Sequence, residues 1–519
     1  MIVIGGGVMK HLVKFSFSRL TITVLLIILQ ILLFLFVVWR LSSYLIMVYT
    51  ILLGLTILAV LNLMVRPLNP SYKMTWLMII LLIPGFGGLI YILYGLRRIS
   101  KKNERKMMDV ILKTKLLLVQ EQQIINEIKE RDRSIGNQAN YLVTYSLCPV
   151  YKKTKTEYLP LGEVKFERLK EELRHAKHYI FLEYFIIEEG QMWGELLAIL
   201  ESKVKEGVKV RVLYDDIGCM SKLPYGYHRQ LEAKGIECAV FNPIGPFFNI
   251  RYNNRDHRKI AVIDGYIGFT GGINLADEYI NAVTRFGHWK DCALYLKGEA
   301  VWNLTVMFLQ VWNYSKGQEE DYEQYRPSKE LMESIQNDGY VLPYGDSPLD
   351  DETVGEYAYQ NMVAHAKEYL YICTPYFIVD HEMLTSLCLA AKSGVDVRVI
   401  TPHIPDKWYV HTLTQSYYEP LIQSGVRVFE YTPGFIHSKT FLCDDRLGII
   451  GTINLDYRSL YLHFECGVWL YQCSCLDEMK KDFLKTQHQC QEIKLSDCQN
   501  VKWYIRLIRA ILMIFAPLM

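Results

Sequence analysis

Two copies of one short pattern carry the chemistry legible in this chain. His257-Arg258-Lys259 is followed by Asp264 and then by Gly271-Gly272-Ile273-Asn274. His437-Ser438-Lys439 is followed by Asp444 and then by Gly451-Thr452-Ile453-Asn454. Both read H-x-K-x4-D and then G-x-x-N, with the Asn seventeen residues after the His. One such match is a weak signal, but two, each with its Asn, are strong. Alternate residues of a strand share a face, so His257 and Lys259 are expected to point the same way, as are His437 and Lys439. An imidazole beside an ammonium suits a phosphate ester: the nitrogen attacks phosphorus while the cation neutralises charge spreading over the oxygens. The Asn274 and Asn454 amides and the N–H groups of the glycine turns can donate further hydrogen bonds. This chemistry requires no metal or other cofactor. There is no G-x-x-x-x-G-K-[ST] loop, so nucleotide-driven chemistry is not indicated. Cys473, Cys475, His488 and Cys490 lack a standard zinc spacing and are expected to be buried or idle thiols.

The elements that must position these groups are themselves repeated. His175-Ala176-Lys177, followed by the apolar run 179–185, recurs as His365-Ala366-Lys367 followed by 369–372. Gly207-Val208-Lys209-Val210-Arg211-Val212 recurs as Gly394-Val395-Asp396-Val397-Arg398-Val399, and Leu231–Pro243 recurs as Leu421–Pro433. Each half alternates β-rich runs with helical stretches, which predicts a duplicated α/β fold of two mixed sheets flanked by helices. The lobes are expected over 151–330 and 331–500. Residues 101–150 form a linker and entry segment, with a helix over 101–133 on the seven-residue spacing of Ile111, Leu118 and Ile125. Tyr184, Asp215 and Tyr376 fall near strand ends, where ordinary core or turn roles are expected.

The charge distribution divides the chain. Residues 1–106 hold twelve Lys and Arg against the single acid Glu104, a charge of +11, which leaves −9 for residues 107–519. Three apolar stretches, 20–39, 41–65 and 74–96, lie between the basic residues. Twenty residues of helix span about 30 Å, the thickness of a bilayer's hydrocarbon core. Residues 1–100 are therefore expected to be a multi-pass membrane anchor of three spans, the third carrying Pro84-Gly85-Phe86-Gly87-Gly88 at its centre as a site of kinking or re-entry. The basic cluster from Arg97 to Lys106 places the following catalytic body on the cytoplasmic side. Twelve cysteines without a CxxC pair suit a reducing compartment. The acidic body lacks the basic footprint that nucleic acid demands. Residues 501–519 set Lys502, Arg506 and Arg509 among Trp503, Tyr504, Leu507 and Phe515, as expected of an interfacial amphipathic helix or of one docked on the body.

The paired motifs resemble the phospholipase D superfamily. The wider pattern resembles the bacterial cardiolipin synthases within it: Trp76 through Gly95, Asn254-Arg255-Asp256-His257-Arg258-Lys259, Trp289-Lys290-Asp291, Thr374-Pro375-Tyr376-Phe377 and Asn454-Leu455-Asp456-Tyr457-Arg458-Ser459. The resemblance covers roughly residues 40–519 and implies two lobes about a pseudo-twofold axis, with both motifs in one site. It implies phosphatidyl transfer between two phosphatidylglycerol molecules in an anionic membrane, giving cardiolipin and glycerol. Hydrolysis to phosphatidic acid and an inactive scaffold are the alternatives. His257 is expected to attack and His437 to serve as acid and base, with Lys259 and Lys439 on the phosphoryl oxygens. Asn274 and Asn454 are expected to contribute donors to the phosphate, and Asp264 and Asp444 to order the lysines and histidines. The superfamily often has a Glu after the Asn that orients a catalytic His. Glu465, 28 residues after His437, fits that place. The same offset from His257 falls on Arg285, leaving Asp277, Glu278 or no residue. Gly272 also departs from the pattern, standing where the second copy has Thr452 and many members have Ser.

Overall fold

The computed structural model describes residues 28–36, 39, 45–83, 85–95, 101–244, 254–349 and 352–518. Half of the first apolar stretch, 20–39, lies outside the described residues. The second forms α1 (Leu45–Val65), and its residues 46–65 are long and apolar enough to cross a membrane. The third does not form one continuous span. After α2 (Pro70–Leu82) the chain turns at Gly85 and continues as short helical turns over 87–95. The glycines explain the fold-back. A Cβ on Gly87 would lie 2.5 Å from the Ile80 backbone, and one on Gly88 would lie 2.5 Å from the Thr56 backbone. Only bare backbone permits that approach, and Ala59, Leu63, Trp76, Ile80 and Tyr91 close a small core around it.

Asn69 caps α2, its side chain accepting from the Ser71 N–H. Its amide also donates to Asp380 and to the Tyr461 hydroxyl, 3.0 Å each, which ties the end of the anchor to the catalytic body. The linker forms α3 (Lys101–Thr114) but not one helix to residue 133. The Thr114 hydroxyl bonds back to the carbonyls of Val110 and Ile111, and the chain tightens into a 3-10 turn at Lys115–Leu117 before helix resumes at Gln122.

The first lobe holds β1 (Thr154–Leu159), β2 (Tyr179–Tyr184), β3 (Lys209–Asp215), β4 (Glu237–Phe241), β5 (Lys259–Ile263), β6 (Ile267–Gly271), β7 (His288–Lys290) and β8 (Ala293–Gly298). Its sheet runs β1-β8-β6-β5-β2-β3-β4. The second lobe holds β9 (Tyr340–Asp346), β10 (Tyr369–Cys373), β11 (Phe377–Ile378), β12 (Asp396–Pro402), β13 (Arg427–Tyr431), β14 (Gly434–Ile436), β15 (Thr440–Cys443), β16 (Leu447–Gly451), β17 (Leu455–Asp456), β18 (Glu465–Tyr471) and β19 (Cys490–Ile493). Its sheet runs β9-β18-β16-β15-β10-β12-β13, the same order, with β19 added at the edge. In both sheets three strands are parallel, β2-β3-β4 and β10-β12-β13, and the motif strand joins them antiparallel. The duplicated α/β architecture read from the repeats is the architecture found.

Between the lobes runs α4 (Val301–Lys316), buried without interruption from Val301 to Leu309. It is apolar on nearly every face, as a helix covered on all sides must be. At the C-terminus α5 (Trp503–Phe515) is docked on the body. It docks through the Thr75 hydroxyl on the Ile514 carbonyl, 2.7 Å, and through Arg509 on Gln415, 2.9 Å. Trp503, Tyr504, Leu507 and Ile511 remain exposed on its other side.

Candidate active site

Each motif histidine sits just ahead of its strand, on a segment that hydrogen-bonds to the opposite lobe. The His257 N–H donates to the Phe464 carbonyl at 2.9 Å, and the Phe464 N–H returns to the Arg255 carbonyl at 2.8 Å. In the second copy β14 pairs in parallel with β7, and the His437 N–H donates to the Lys290 carbonyl at 2.7 Å. A residue delivered this way meets the side chains of the other half. His257 Nδ1 lies 2.8 and 3.1 Å from the two oxygens of Glu465, and His437 Nδ1 lies 2.7 Å from Asp291 Oδ2. A carboxylate at Nδ1 fixes the proton there and leaves Nε2 as the free nitrogen.

Glu465 therefore orients the histidine of the other copy, His257, and not His437. Asp277 and Glu278 orient neither. Asp277 accepts from the N–H groups of Gln191 and Met192 at a helix start, and Glu278 pairs with Arg285 at 3.0 Å. The partner of His437 is Asp291, which the sequence reading did not assign. The signal was present in the repeat, because Trp289-Lys290-Asp291 leads into β8 as His463-Phe464 leads into β18, whose first residue is Glu465.

Gly272 follows from the same exchange. A Cβ there would stand 2.2 Å from Asp291 Oδ1, so the glycine makes room for the carboxylate. At the matching place Thr452 is tolerated, and its hydroxyl donates to Glu465 Oε2. Asp291 receives the Cys292 N–H at 2.8 Å.

Asp264 and Asp444 do not reach the lysines or histidines. Each lies beyond the far end of its motif strand, and five residues of strand are about 16 Å. Both adopt left-handed backbone, φ 51° and 52°, and clamp a turn. Asp264 accepts from the N–H groups of Lys177, His178 and Tyr179, and Asp444 from those of Lys367, Glu368 and Tyr369. The two asparagines are turned inward. Asn274 accepts from the Ile186 N–H and donates to the Tyr279 hydroxyl, while Asn454 donates to Ser459. Lys259 and Lys439 are both buried, each donating to the carbonyl of its own motif histidine, which leaves two ammonium protons for a ligand.

Buried charge pairs stiffen the approach to His257. Arg255 is held by Asp215, which also accepts the Asp256 N–H, and Arg258 lies between Glu183 and Asp256. Tyr184 accepts from Lys165, and Tyr376 donates to Asp406. All three strand-end residues thus have supporting contacts. Rings enclose the histidines: Phe185 beside His257 at 5.0 Å, and Tyr279 and Trp289 beside His437 at 5.5 and 5.4 Å.

Enclosure sets the electrostatics. Burial pushes the His257 imidazole down to about 3 against the pull of Glu465. Burial, with Lys439 and Lys259, also holds His437 well below its ordinary value. The carboxylates part company. Burial lifts Asp291 to about 6 despite Lys439, whereas burial at Glu465 is overcome by His257 and its other donors, which hold it below the usual range. The lysines fall with burial, Lys259 to about 8 and Lys439 to about 7. Among the described residues, the trio close enough to share a metal is His257, His463 and Glu465. Cys473, Cys475, His488 and Cys490 form no such group, and all twelve cysteines are free thiols.

Comparison with known proteins agrees with this geometry. A family model described as "Cardiolipin synthase, PLD-like domain" matches residues 169–285 and 359–487, and one described as "Phospholipase D-nuclease N-terminal" matches 54–95. The chain is 46% identical to an uncharacterised protein of Streptococcus mutans, over 86% of this chain and 96% of that one. It is 34% identical to a cardiolipin synthase of Halalkalibacterium halodurans, over 87% of this chain and 90% of the relative. Among solved structures, phosphatidylserine synthase of Haemophilus influenzae Rd KW20 shares the fold with TM-score 0.52 at 16% identity, covering 70% of this chain and 93% of that one. With its two lobes, its paired motifs and these relatives over most of its length, the chain belongs to the cardiolipin synthase family of phospholipase D-like proteins.

Proposed function

We propose that the protein is a membrane-bound phosphatidyltransferase that makes cardiolipin and glycerol from two molecules of phosphatidylglycerol. The observation that carries this reading is the exchanged pairing, across the lobe interface, of two buried histidines with two carboxylates, His257 with Glu465 and His437 with Asp291.

His257 Nε2 attacks the phosphorus of the first phosphatidylglycerol, and the bond from phosphorus to the glycerol oxygen breaks. The imidazole of the resulting phosphatidyl-His257 becomes cationic, which the ionised Glu465 at Nδ1 stabilises. The glycerol leaves with a proton from the His437–Asp291 pair. That pair holds one proton below about pH 6, on either member. The anionic phosphodiester favours its place on the imidazole. The hydroxyl of the second phosphatidylglycerol then attacks phosphorus, returns a proton to His437 and displaces His257. One phosphodiester replaces another, so no external energy source is needed. Lys259 and Lys439 neutralise the phosphoryl oxygens. Asn274 and Asn454 support the loops beneath the site, since their amides are engaged within their own lobes.

The anchor suits an enzyme whose donor and acceptor are both lipids, and the basic residues after it favour a cytoplasmic catalytic body. The exposed aromatic face of α5 is read as resting in the headgroup layer. The test supplies full-length protein with labelled phosphatidylglycerol in bilayers. Cardiolipin with equimolar glycerol is expected, and phosphatidic acid as the main product would make the enzyme a hydrolase.

A further inference from the structure

Arg509 on α5 is a cation that the body leaves without a counter-charge. Elsewhere the enclosed guanidiniums lie against carboxylates: Arg211 on Glu320, Arg255 on Asp215 and Arg258 on Glu183. Arg509 is half-buried, and its Nη2 donates to the neutral amide oxygen of Gln415. Its Nε is enclosed without a partner, and Nη1 makes no hydrogen bond within the protein. Among the described residues, no carboxylate forms an ion pair with Arg509 or with its neighbours Arg506 and Lys502. Burial pulls the Arg509 guanidinium down from its ordinary value. A charge taken from water without a counter-ion is unfavourable, so the site lacks an anion.

Arg509 lines a groove of about 550 Å³ between α5 and the helix Trp408–Thr414, a size that suits a small ligand or a headgroup. Lys502 lines it as a second cation, and Tyr418, Ile505 and Ile508 give it apolar walls. Two acids also face it, but both are engaged. Glu430 accepts from Tyr418 and Gln415 and meets His403, and Asp497 accepts the Lys494 N–H. Trp408, 65% exposed, and Tyr504 stand at its two sides, and rings interleaved with cations are what a headgroup layer selects. The α5 wall lies beyond the duplicated strand order, after the added edge strand β19. That wall is fastened to the anchor, since the Ile514 carbonyl receives the Thr75 hydroxyl of α2.

We propose that this groove binds the phosphate of an anionic phospholipid, with Arg509 as the principal donor and Lys502 as the second cation. A phosphate oxygen at Nη1 supplies the charge-assisted hydrogen bond that the guanidinium lacks within the protein. The apolar and aromatic walls favour a lipid over a free anion, because acyl chains can follow Ile505 and Ile508 toward the bilayer. The lipid held here is not the reacting one: no residue of either H-x-K motif lines the groove. It fastens the C-terminal helix to an anionic surface, a second attachment besides the membrane helix, and it stands whether the enzyme transfers or hydrolyses.

The experiment reconstitutes the full-length protein in phosphatidylcholine vesicles that contain a phosphatidylserine bearing a photoreactive diazirine near its headgroup. Irradiation is followed by mapping of the labelled peptides. Label is expected within 408–415 and 493–509, displaced by excess unlabelled phosphatidylserine and not by inorganic phosphate. Arg509→Gln is expected to lower that label at least about fivefold and Lys502→Gln about threefold, as befits single cations at an anionic surface, while Arg509→Lys retains most of it. Thermal unfolding reports whether each variant is folded, and Lys502→Gln, at an exposed position, carries the test if Arg509→Gln is not. Unchanged label in the folded variants, or no label in either segment, would overturn the inference. Displacement by inorganic phosphate as effective as that by the lipid would also overturn it, by making the groove a free-anion site.

Discussion

The two lobes share a strand order, a motif and a turn clamp, yet they surround the two histidines differently. Around His257 stand Glu465, the Thr452 hydroxyl and His463; around His437 stand Asp291, bare Gly272 and Trp289. The backbone is a repeated device for bringing an imidazole to a carboxylate. The side chains decide which pair keeps a proton. A phosphoryl transfer through a covalent intermediate needs one pair without a proton and one with it, and a strictly symmetric site would supply two alike.

Removing the histidines breaks this comparison most severely. His257→Ala and His437→Ala are each expected to lose at least about 10⁴-fold in turnover. Mass spectrometry of acid-quenched reactions should find a phosphatidyl adduct in His437→Ala, on His257, and none in His257→Ala. An adduct on His437 would reverse the roles of the lobes. Next come the carboxylates. Glu465→Gln removes a charge that the intermediate needs and should cost about 10³-fold, whereas Asp291→Asn removes a proton store and should cost about 10²-fold, both read as kcat. Asp291 also sets a pH dependence. Because its raised value marks where the His437–Asp291 pair loses its proton, kcat/KM is expected to fall as pH rises through about 6, a limb that Asp291→Asn should abolish.

Smaller effects test the divergence at the glycine turn. Gly272→Ala drives a Cβ into Asp291 and is expected to cost about tenfold in kcat, since a misplaced catalytic partner weakens turnover even where every group is retained. The turn clamps differ in burial. Asp264→Ala frees three buried or half-buried N–H groups and is expected to lower stability by about 2–4 kcal/mol, whereas Asp444→Ala, whose donors at Lys367 and Glu368 are exposed, should cost about 1–2 kcal/mol, both measured by chemical unfolding and both without altering kcat per folded molecule.

Much of this arrangement was legible before any coordinates. The recurrence of His-Ala-Lys and of the Gly-Val strands announced two like sheets, and the doubled motif announced a phosphate site. The exchange of carboxylates was not legible in the same way. An offset counted from a histidine finds partners in its own half, whereas hydrogen bonds across the lobe interface give Glu465 to His257 and Asp291 to His437. Asp264 and Asp444 misled for a related reason. They stand close to the lysines in sequence, but an intervening strand carries them to the opposite end of the sheet. At 74–96 the glycines read as a site of kinking or re-entry are where the chain turns, and Gly87 and Gly88 let it double back on Ile80 and Thr56.

The contact of Asn69 with Asp380 and Tyr461 has a mechanical consequence. A catalytic body joined to its anchor by a loose tether samples many heights above the bilayer. Here the joint is a helix cap pinned at two points, so the standoff between the membrane helix and the site is set by rigid parts. Tyr461 ends the short helix 457–461, four residues ahead of Glu465. A change in the tilt of the anchor, from a thicker or thinner bilayer, therefore has a short lever arm to the carboxylate that orients the attacking histidine.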